Sequence, residues 1–143
     1  MVYIKDEGST FDAPIDLVFK FLQTVHVHKA HRHEETKRLN KNSFLLMMEE
    51  NMDGEWANVV WRITDFPPLG MAVEMIEGPM AGSAFLNYYT PKGDKTEVTV
   101  VGEYVSKTIP AAQLEGVVRD FFEMLHREDS IALKGWLSRR ATQ

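Results

Sequence analysis

The sequence predicts an α+β fold in which an antiparallel sheet packs against one long C-terminal helix. A strand and a short helical pattern open the chain, five alternating segments joined by short turns follow from residue 43, and a long amphipathic pattern closes it. Antiparallel strands need only tight turns, whereas parallel strands need crossovers of about a dozen residues or more. We therefore expect a single domain spanning residues 1–143.

Composition excludes several classes of protein. Hydrophobic residues make up 44% and charged residues 26% of the chain, as in ordinary globular domains. The absence of cysteine excludes disulfides and thiolate sites. A formal net charge of −5 argues against a nucleic-acid partner. No membrane span and no signal peptide are expected, so the cytoplasm is the expected location.

The N-terminal part is expected to form one strand and two short helices. "VYIKDEGSTF" alternates weakly and predicts a strand, and "DAPIDLVFKFLQTV" predicts a helix with Pro14 in its first turn. Ile15, Val18 and Leu22 form the apolar face of this helix. The histidine-rich stretch that follows is expected to form the second helix, with an extended conformation as the alternative.

Five strands are predicted from Ser43 onward, separated by turn signals. "MDGEW" contains the tight-turn pair Asp53-Gly54, and "PPLG", "GPMAGS" and "PKGDK" mark the other turns. "TEVTVVGEYVS" alternates most clearly, with apolar residues on one face and Glu103 on the other. Short connections between consecutive strands indicate an antiparallel meander.

The C-terminal segment predicts a long helix that begins at Pro110. Its apolar positions recur at spacings of three, four and seven residues, and they are Leu114, Val118, Phe121, Leu125, Ala132 and Trp136. A stripe of this length has to be buried against a large apolar surface, and the sheet is the only such surface that the sequence offers.

Three segments resemble the START-related (SRPBCC, polyketide-cyclase-like) superfamily, and within it archaeal and bacterial members. "STFDAPIDLVFKFL" is similar to the opening of that family, and "FPPLGMAVEMIEGPMAGSAFLNYYTPKGDKTEVTVVGEY" to its meander. "FFEMLHREDSIALKGWL" resembles its C-terminal helix. The resemblance implies a helix-grip fold, in which a strongly curved sheet wraps around the long helix and leaves a deep cavity between them.

The resemblance also implies a function. Members bind lipids, sterols, polyketides or other apolar molecules, and some are enzymes. We therefore expect binding or transport of a hydrophobic or amphipathic small molecule. The alternatives are an enzyme of the cyclase, dehydratase or hydrolase type, in one version assisted by a metal at the His26–His33 cluster, and a protein-interaction module. A homodimer is a further expectation.

Large side chains near the expected cavity predict its wall. They are Trp61, Met75, Tyr88, Tyr104, Phe121, Phe122 and Met124. Aromatic and methionine walls with a few polar groups are typical of small-molecule pockets. The alternative is that these side chains pack the core, which is the usual place of apolar residues at such spacings.

Four of the five histidines lie in "HVHKAHRH". On a helix, His28, His31 and Glu35 would share one stripe, and this set of two imidazoles and one carboxylate suits zinc or non-haem iron. His26 and His33 would lie on the opposite face and are alternate ligands. The competing and favoured interpretation is a solvated charged surface, because several cations flank the cluster. No cofactor is otherwise required.

Other titratable residues are weaker candidates. Glu74 and Glu103 interrupt apolar strands, and either could act as a general base if it lay in a dry cavity. The alternation around Glu103 favours exposure to solvent. His126 and Asp129 lie three residues apart on the long helix, where a contact along the helix surface is expected.

Overall fold

The structure, a computed structural model, describes residues 1–24 and 27–142. Its elements, in chain order, are β1 (Val2–Phe11), α1 (Ile15–Leu22), β2 (His31–Arg38), β3 (Ser43–Asn51), β4 (Trp56–Phe66), β5 (Gly70–Glu77), β6 (Ala84–Lys92), β7 (Lys95–Tyr104) and α2 (Ala111–Ala141). The predicted meander from Ser43 is confirmed as β3 to β7.

All seven strands form one antiparallel sheet in the order β1-β7-β6-β5-β4-β3-β2. Strand β1 therefore returns to pair with β7, and β2 extends the opposite edge. The strand registers shift within the β1–β7, β2–β3 and β4–β5 pairings. Such bulges bend strands and increase their twist, which suits a sheet that curves around a helix.

The prediction of a second short helix is wrong. Between β1 and β2, the described residues contain one helix, α1, and His31–Arg38 form strand β2 instead. This segment has no apolar stripe at helical spacing that a helix could bury. Pairing with β3 instead satisfies backbone N–H and C=O groups of that strand, while most charged side chains of β2 stay in water.

Helix α2 buries half of its predicted apolar stripe, and the other members, Leu125, Ala132 and Trp136, are half-buried. Leu114, Val118, Phe121 and Leu133 are the buried residues of the helix. Its N-terminal half packs into a core cluster with inward residues of the sheet, among them Trp61, Ile63, Val73, Met75, Phe85 and Tyr104. This packing confirms the helix-grip arrangement.

A chain of ring contacts connects the sheet to the middle of α2. The ring of Phe122 lies 4.9 Å from that of Phe85 and 6.2 Å from that of Tyr104. Phe121 lies 5.9 Å from Phe122, and Phe85 lies 6.0 Å from Trp61. Aromatic pairs at these distances add to the free energy of burial. Side chains therefore occupy the space between the sheet and the middle of the helix.

Helix α1 covers the other end of the concave face. Val18 and Phe21 of α1 join Leu133 of α2 in a second core cluster. The hydroxyl of Thr96 donates a hydrogen bond of 2.8 Å to the carbonyl oxygen of Ala13, which ties the start of β7 to the loop before α1. In the described part of the chain, no helix has the length and apolar character needed to span a membrane.

Two glycines provide a matched test of this packing. A Cβ added at Gly102 would lie 2.6 Å from the carbonyl oxygen of Ala84 and 2.6 Å from Cβ of Phe85, whereas one added at Gly116 of α2 meets nothing within 4 Å. We expect Gly102→Ala to lower the free energy of unfolding by about 1–3 kcal/mol. Gly116→Ala should raise it by about 0.5–1 kcal/mol. Chemical denaturation of both variants measures the difference, and equal effects would contradict the packing described.

Candidate functional site

A cleft of about 460 Å³ opens where the N-terminal half of α2 meets the turn between β3 and β4. The turn contributes Met52 and Asp53, and the loop between β7 and α2 contributes Thr108 and Ile109. The remaining lining residues are Pro110, Gln113, Val117, Asp120, Phe121 and Met124. Volumes of this size accommodate drug-sized ligands.

The α2 wall of the cleft follows from helix geometry. Gln113, Val117, Asp120, Phe121 and Met124 all line it, at spacings of three and four residues and one adjacent pair. Residues at these spacings lie on one face of a helix. This stripe overlaps the buried stripe at Phe121, so the helix uses one face for the core and the adjoining face for the cleft.

A second, smaller pocket of about 60 Å³ adjoins the cleft and shares Met52, Asp53, Thr108 and Ile109 with it. Its wall includes Glu50, on the concave face of β3. The cleft therefore continues toward a carboxylate at the inner surface of the sheet.

Glu50 forms a buried pair with His31. Nε2 of His31 lies 2.9 Å from Oε2 of Glu50, and the two side chains are only 5% and 4% exposed. The imidazole ring also lies 5.5 Å from the ring of Trp61 and 6.0 Å from that of Phe121, which lines the cleft. A buried carboxylate needs such a partner because desolvation penalises an isolated charge.

His28 connects the chain before β2 to the middle of α2. Its Nδ1 lies 3.1 Å from Oε1 of Glu128 and its Nε2 3.1 Å from Oδ1 of Asp129. Burial lowers the pKa of His28, but the hydrogen bonds and charges of Asp129 and Glu128 outweigh burial and raise the pKa above its ordinary value. Both ring nitrogens donate hydrogen bonds only in the protonated imidazole, so this geometry favours the cation.

The predicted cavity wall is divided between the core and the cleft. Trp61, Met75 and Tyr104 are buried members of the core cluster around α2. Phe121 and Met124 line the cleft.

The remaining two residues of the predicted wall lie elsewhere. Phe122 belongs to the ring contacts of the core. Tyr88 lies on the opposite, outer face of β6, where it pairs with Thr99, and its neighbour Tyr89 faces inward and is 4% exposed. In a strand, a shift of one residue moves a side chain to the other face.

Two of the three predicted metal ligands, His28 and His31, lie close together, with 5.8 Å between their rings, and the third, Glu35, lies away from them. His31 faces inward toward Glu50, whereas Glu35 is exposed and pairs with Met47. His33, an alternate ligand, is exposed and contacts Glu49. Over residues 1–24 and 27–142, no group of three or more histidine, aspartate or glutamate side chains is arranged to hold a metal ion. His26, the other alternate, lies outside the described residues.

The other titratable candidates are Glu74 and Glu103 on the sheet and His126 and Asp129 on α2. Glu74 and Glu103 are both exposed, and Glu74 lies 3.8 Å from Arg62. His126 packs against Phe11, with 4.6 Å between the rings, and its Nε2 lies 3.5 Å from the hydroxyl of Ser130. Burial lowers the pKa of His126. Asp129, expected to lie along the helix surface near His126, reaches His28.

Comparison with known proteins identifies the fold. A START superfamily protein from Mycobacterium smegmatis superimposes with a TM-score of 0.78 at 11% identity, covering 94% of this chain and 98% of that chain. The Zhui aromatase/cyclase from Streptomyces sp. R1128 superimposes with a TM-score of 0.73 at 16% identity, covering 98% and 95%. Ara h 8.0201 superimposes with a TM-score of 0.65 at 15% identity, covering 96% and 98%. No family model and no curated protein matches the sequence.

These similarities confirm the predicted helix-grip fold. At such low identity they bear on the backbone alone, and the archaeal and bacterial branch remains a prediction.

The contacts of His28 predict a pH-dependent contribution to stability. A histidine whose folded pKa is raised stabilises the protein fully below the unfolded value of about 6.5, and loses this contribution as the pH rises through the folded pKa. We expect the difference in unfolding free energy between the wild type and His28→Gln to be largest in mild acid and to shrink toward alkaline pH. Urea denaturation at a series of pH values measures it.

His126→Gln is the matched control, because the folded pKa of His126 is lowered. A lowered pKa costs the wild type stability as the pH falls, so the difference in unfolding free energy between the wild type and this variant should shrink toward acid pH. A pH profile of the same sign for both variants would contradict the account of His28.

Proposed function

We propose that this protein binds a hydrophobic or amphipathic small molecule in the cleft beside the N-terminal half of α2. The single observation that carries the proposal is the cleft itself, with a volume of about 460 Å³. Most of its lining residues are apolar, including Phe121, Met124 and Ile109. Pockets of this volume with apolar walls and a few polar groups are the usual form of small-molecule sites.

The chemistry of the wall supports this proposal. Methionine side chains adapt to ligands of different shapes because they are unbranched and polarizable. Met52 and Met124 line the cleft from two different elements, the β3–β4 turn and α2. A ligand that covers these side chains removes their apolar surface from water, which stabilises the complex by about 25 cal/mol per Å² of surface buried.

The structural relatives support the same class of function. One of them is named as a START superfamily protein and another as an aromatase/cyclase. Such a fold can bind a hydrophobic or polyketide-like molecule, and the proposed binding site in this chain is the cleft.

A second candidate function is acid–base catalysis on such a ligand. Glu50 lines the pocket that adjoins the cleft, and it is hydrogen-bonded to His31. The carboxylate could take a proton from an acidic C–H group of a ligand, with the imidazole holding the carboxylate in place.

Incubation with a linear poly-β-ketone tests this second function: the wild type should release water and cyclised product, and Glu50→Gln should not. Glu49→Gln, one residue away on β3, is the control.

Obstruction of the cleft tests the binding proposal. Gln113 is an exposed residue of α2 that lines the cleft, so Gln113→Trp should fill part of it without disturbing the core. Loss of about 50 Å² of ligand contact costs about 1.3 kcal/mol, or roughly tenfold in Kd. The neutral dye Nile red, followed by its fluorescence, provides the measurement.

Ala112→Trp is the matched control, because Ala112 is exposed in the same turn of α2 but does not line the cleft. We expect it to bind the dye as the wild type does. Unchanged binding to Gln113→Trp would place the dye outside the cleft and contradict the proposal.

A further inference from the structure

We infer that the cleft selects for ligands with a neutral or cationic head and against carboxylates and other anions. This inference rests on the proposed function and adds the chemical class of the ligand. The juxtaposition that carries it is a partly apolar wall whose charged groups, among the described residues, are all carboxylates: Asp53 and Asp120 line the cleft, and Glu50 and Glu55 line the pocket that adjoins it.

The described part of both walls lacks basic side chains. Among the described residues that line the cleft or the adjoining pocket, none is lysine, arginine or histidine. An anionic head would therefore leave water without gaining an opposite charge, which is unfavourable. An ammonium or hydroxyl head meets carboxylate acceptors instead.

Three of the four carboxylates form no ion pair with another of the described residues. Glu50 is paired with His31, but among the described residues no ion pair within 4.0 Å involves Asp53, Asp120 or Glu55. Each is exposed, so water screens it and each contributes modestly. Their effects add because they have the same sign and line two adjoining pockets.

Nearby cations are engaged with other groups. Arg119, next to Asp120 in sequence, lies 3.6 Å from Glu115 and 3.9 Å from Asp6. Arg32 lies over the ring of Trp56 at 3.9 Å and 3.3 Å from Glu49.

Lys107 is the cation adjacent in sequence to the lining residue Thr108. It is exposed, and it does not contribute to either wall.

The N-terminus of α2 acts in the opposite direction, but its effect is smaller. Pro110 and Gln113 line the cleft, so the positive end of the helix dipole opens onto it. That end is equivalent to about half an elementary charge. Asp53 and Asp120 contribute two carboxylates to the same wall, and water screens them as it screens the exposed end of the helix. The net field in the cleft therefore favours cations.

Three ligands with the same ten-carbon chain test the inference: decylamine, 1-decanol and decanoate. Isothermal titration calorimetry with the full chain, at neutral pH, low salt and concentrations below micelle formation, gives three Kd values. From the free energies of exposed ion pairs, we expect decylamine to bind roughly tenfold more tightly than decanol, and decanoate roughly tenfold more weakly.

The double variant Asp53→Asn with Asp120→Asn removes both charges and should bring the three Kd values within about threefold of one another. Asp94→Asn with Glu103→Gln neutralises two exposed carboxylates that line neither wall, and it should keep the wild-type preference. Raising the salt to about 1 M, where the Debye length falls to about 3 Å, should reduce the preference in the wild type itself.

The outcomes separate the two proposals. If decanoate binds the wild type as tightly as decanol does, or if the preference survives in the Asp53 and Asp120 double variant, the charge inference is wrong while ligand binding stands. If none of the three ligands binds the wild type, the proposed function fails and the inference fails with it.

Discussion

The packing of Phe121 and Phe122 against the sheet is the interaction on which the rest of the structure depends. Phe122 meets Phe85 and Tyr104 of the sheet, with Phe85 in turn against Trp61, and Phe121 packs against Phe122 and against His31 of β2. The contact fixes the helix on the concave face and fills the space beneath its middle. Free volume is therefore found toward the N-terminal end of α2, where Phe121 forms the boundary between the core and the cleft.

The polar groups behind this boundary are arranged in hydrogen-bonded pairs, and His28 takes part in two of them. His31 and Glu50 lie against Phe121 and Trp61. His28, whose ring lies 5.8 Å from that of His31, reaches the α2 residues Glu128 and Asp129. Buried charges are tolerated when each has a hydrogen-bonded partner, and removal of one partner is costly. These pairs therefore hold the start of β2 both to β3 and to α2.

The sequence was sufficient to predict most of the fold. The turn at Asp53-Gly54, the alternation of β7 and the long stripe of α2 each follow from local chemistry, and the structure confirms them. Strand β2 could not be predicted in this way, because its charged residues carry no period of their own. It is a strand because β3 offers a free edge, which is a tertiary effect.

The site was only partly predictable, for two physical reasons. Glu50 shares the inward face of β3 with Phe44 and Met48, and the two-residue period of "SFLLMMEEN" was a signal that could have identified it. Tyr88 shows the limit of the same rule, because nothing in its own strand says which face will be inside.

No periodic pattern in the sequence could predict that Met52 and Ile109 line the cleft. They line the cleft because two loops come together there. The relative position of two loops depends on the topology of the whole fold. The charge of the cleft has the same origin, since Asp53 belongs to a turn and Asp120 to a helix.

Mapping a bound ligand onto the chain tests the central claim most directly. In a titration of ¹⁵N-labelled protein with 1-decanol, the amide chemical shifts should move most at Met52, Asp53, Ile109, Val117 and Met124. Those of the outer face of the sheet, such as Leu86 and Glu103, should stay in place. Shifts confined to the outer face, or no shifts at saturating decanol, would contradict a binding site beside α2.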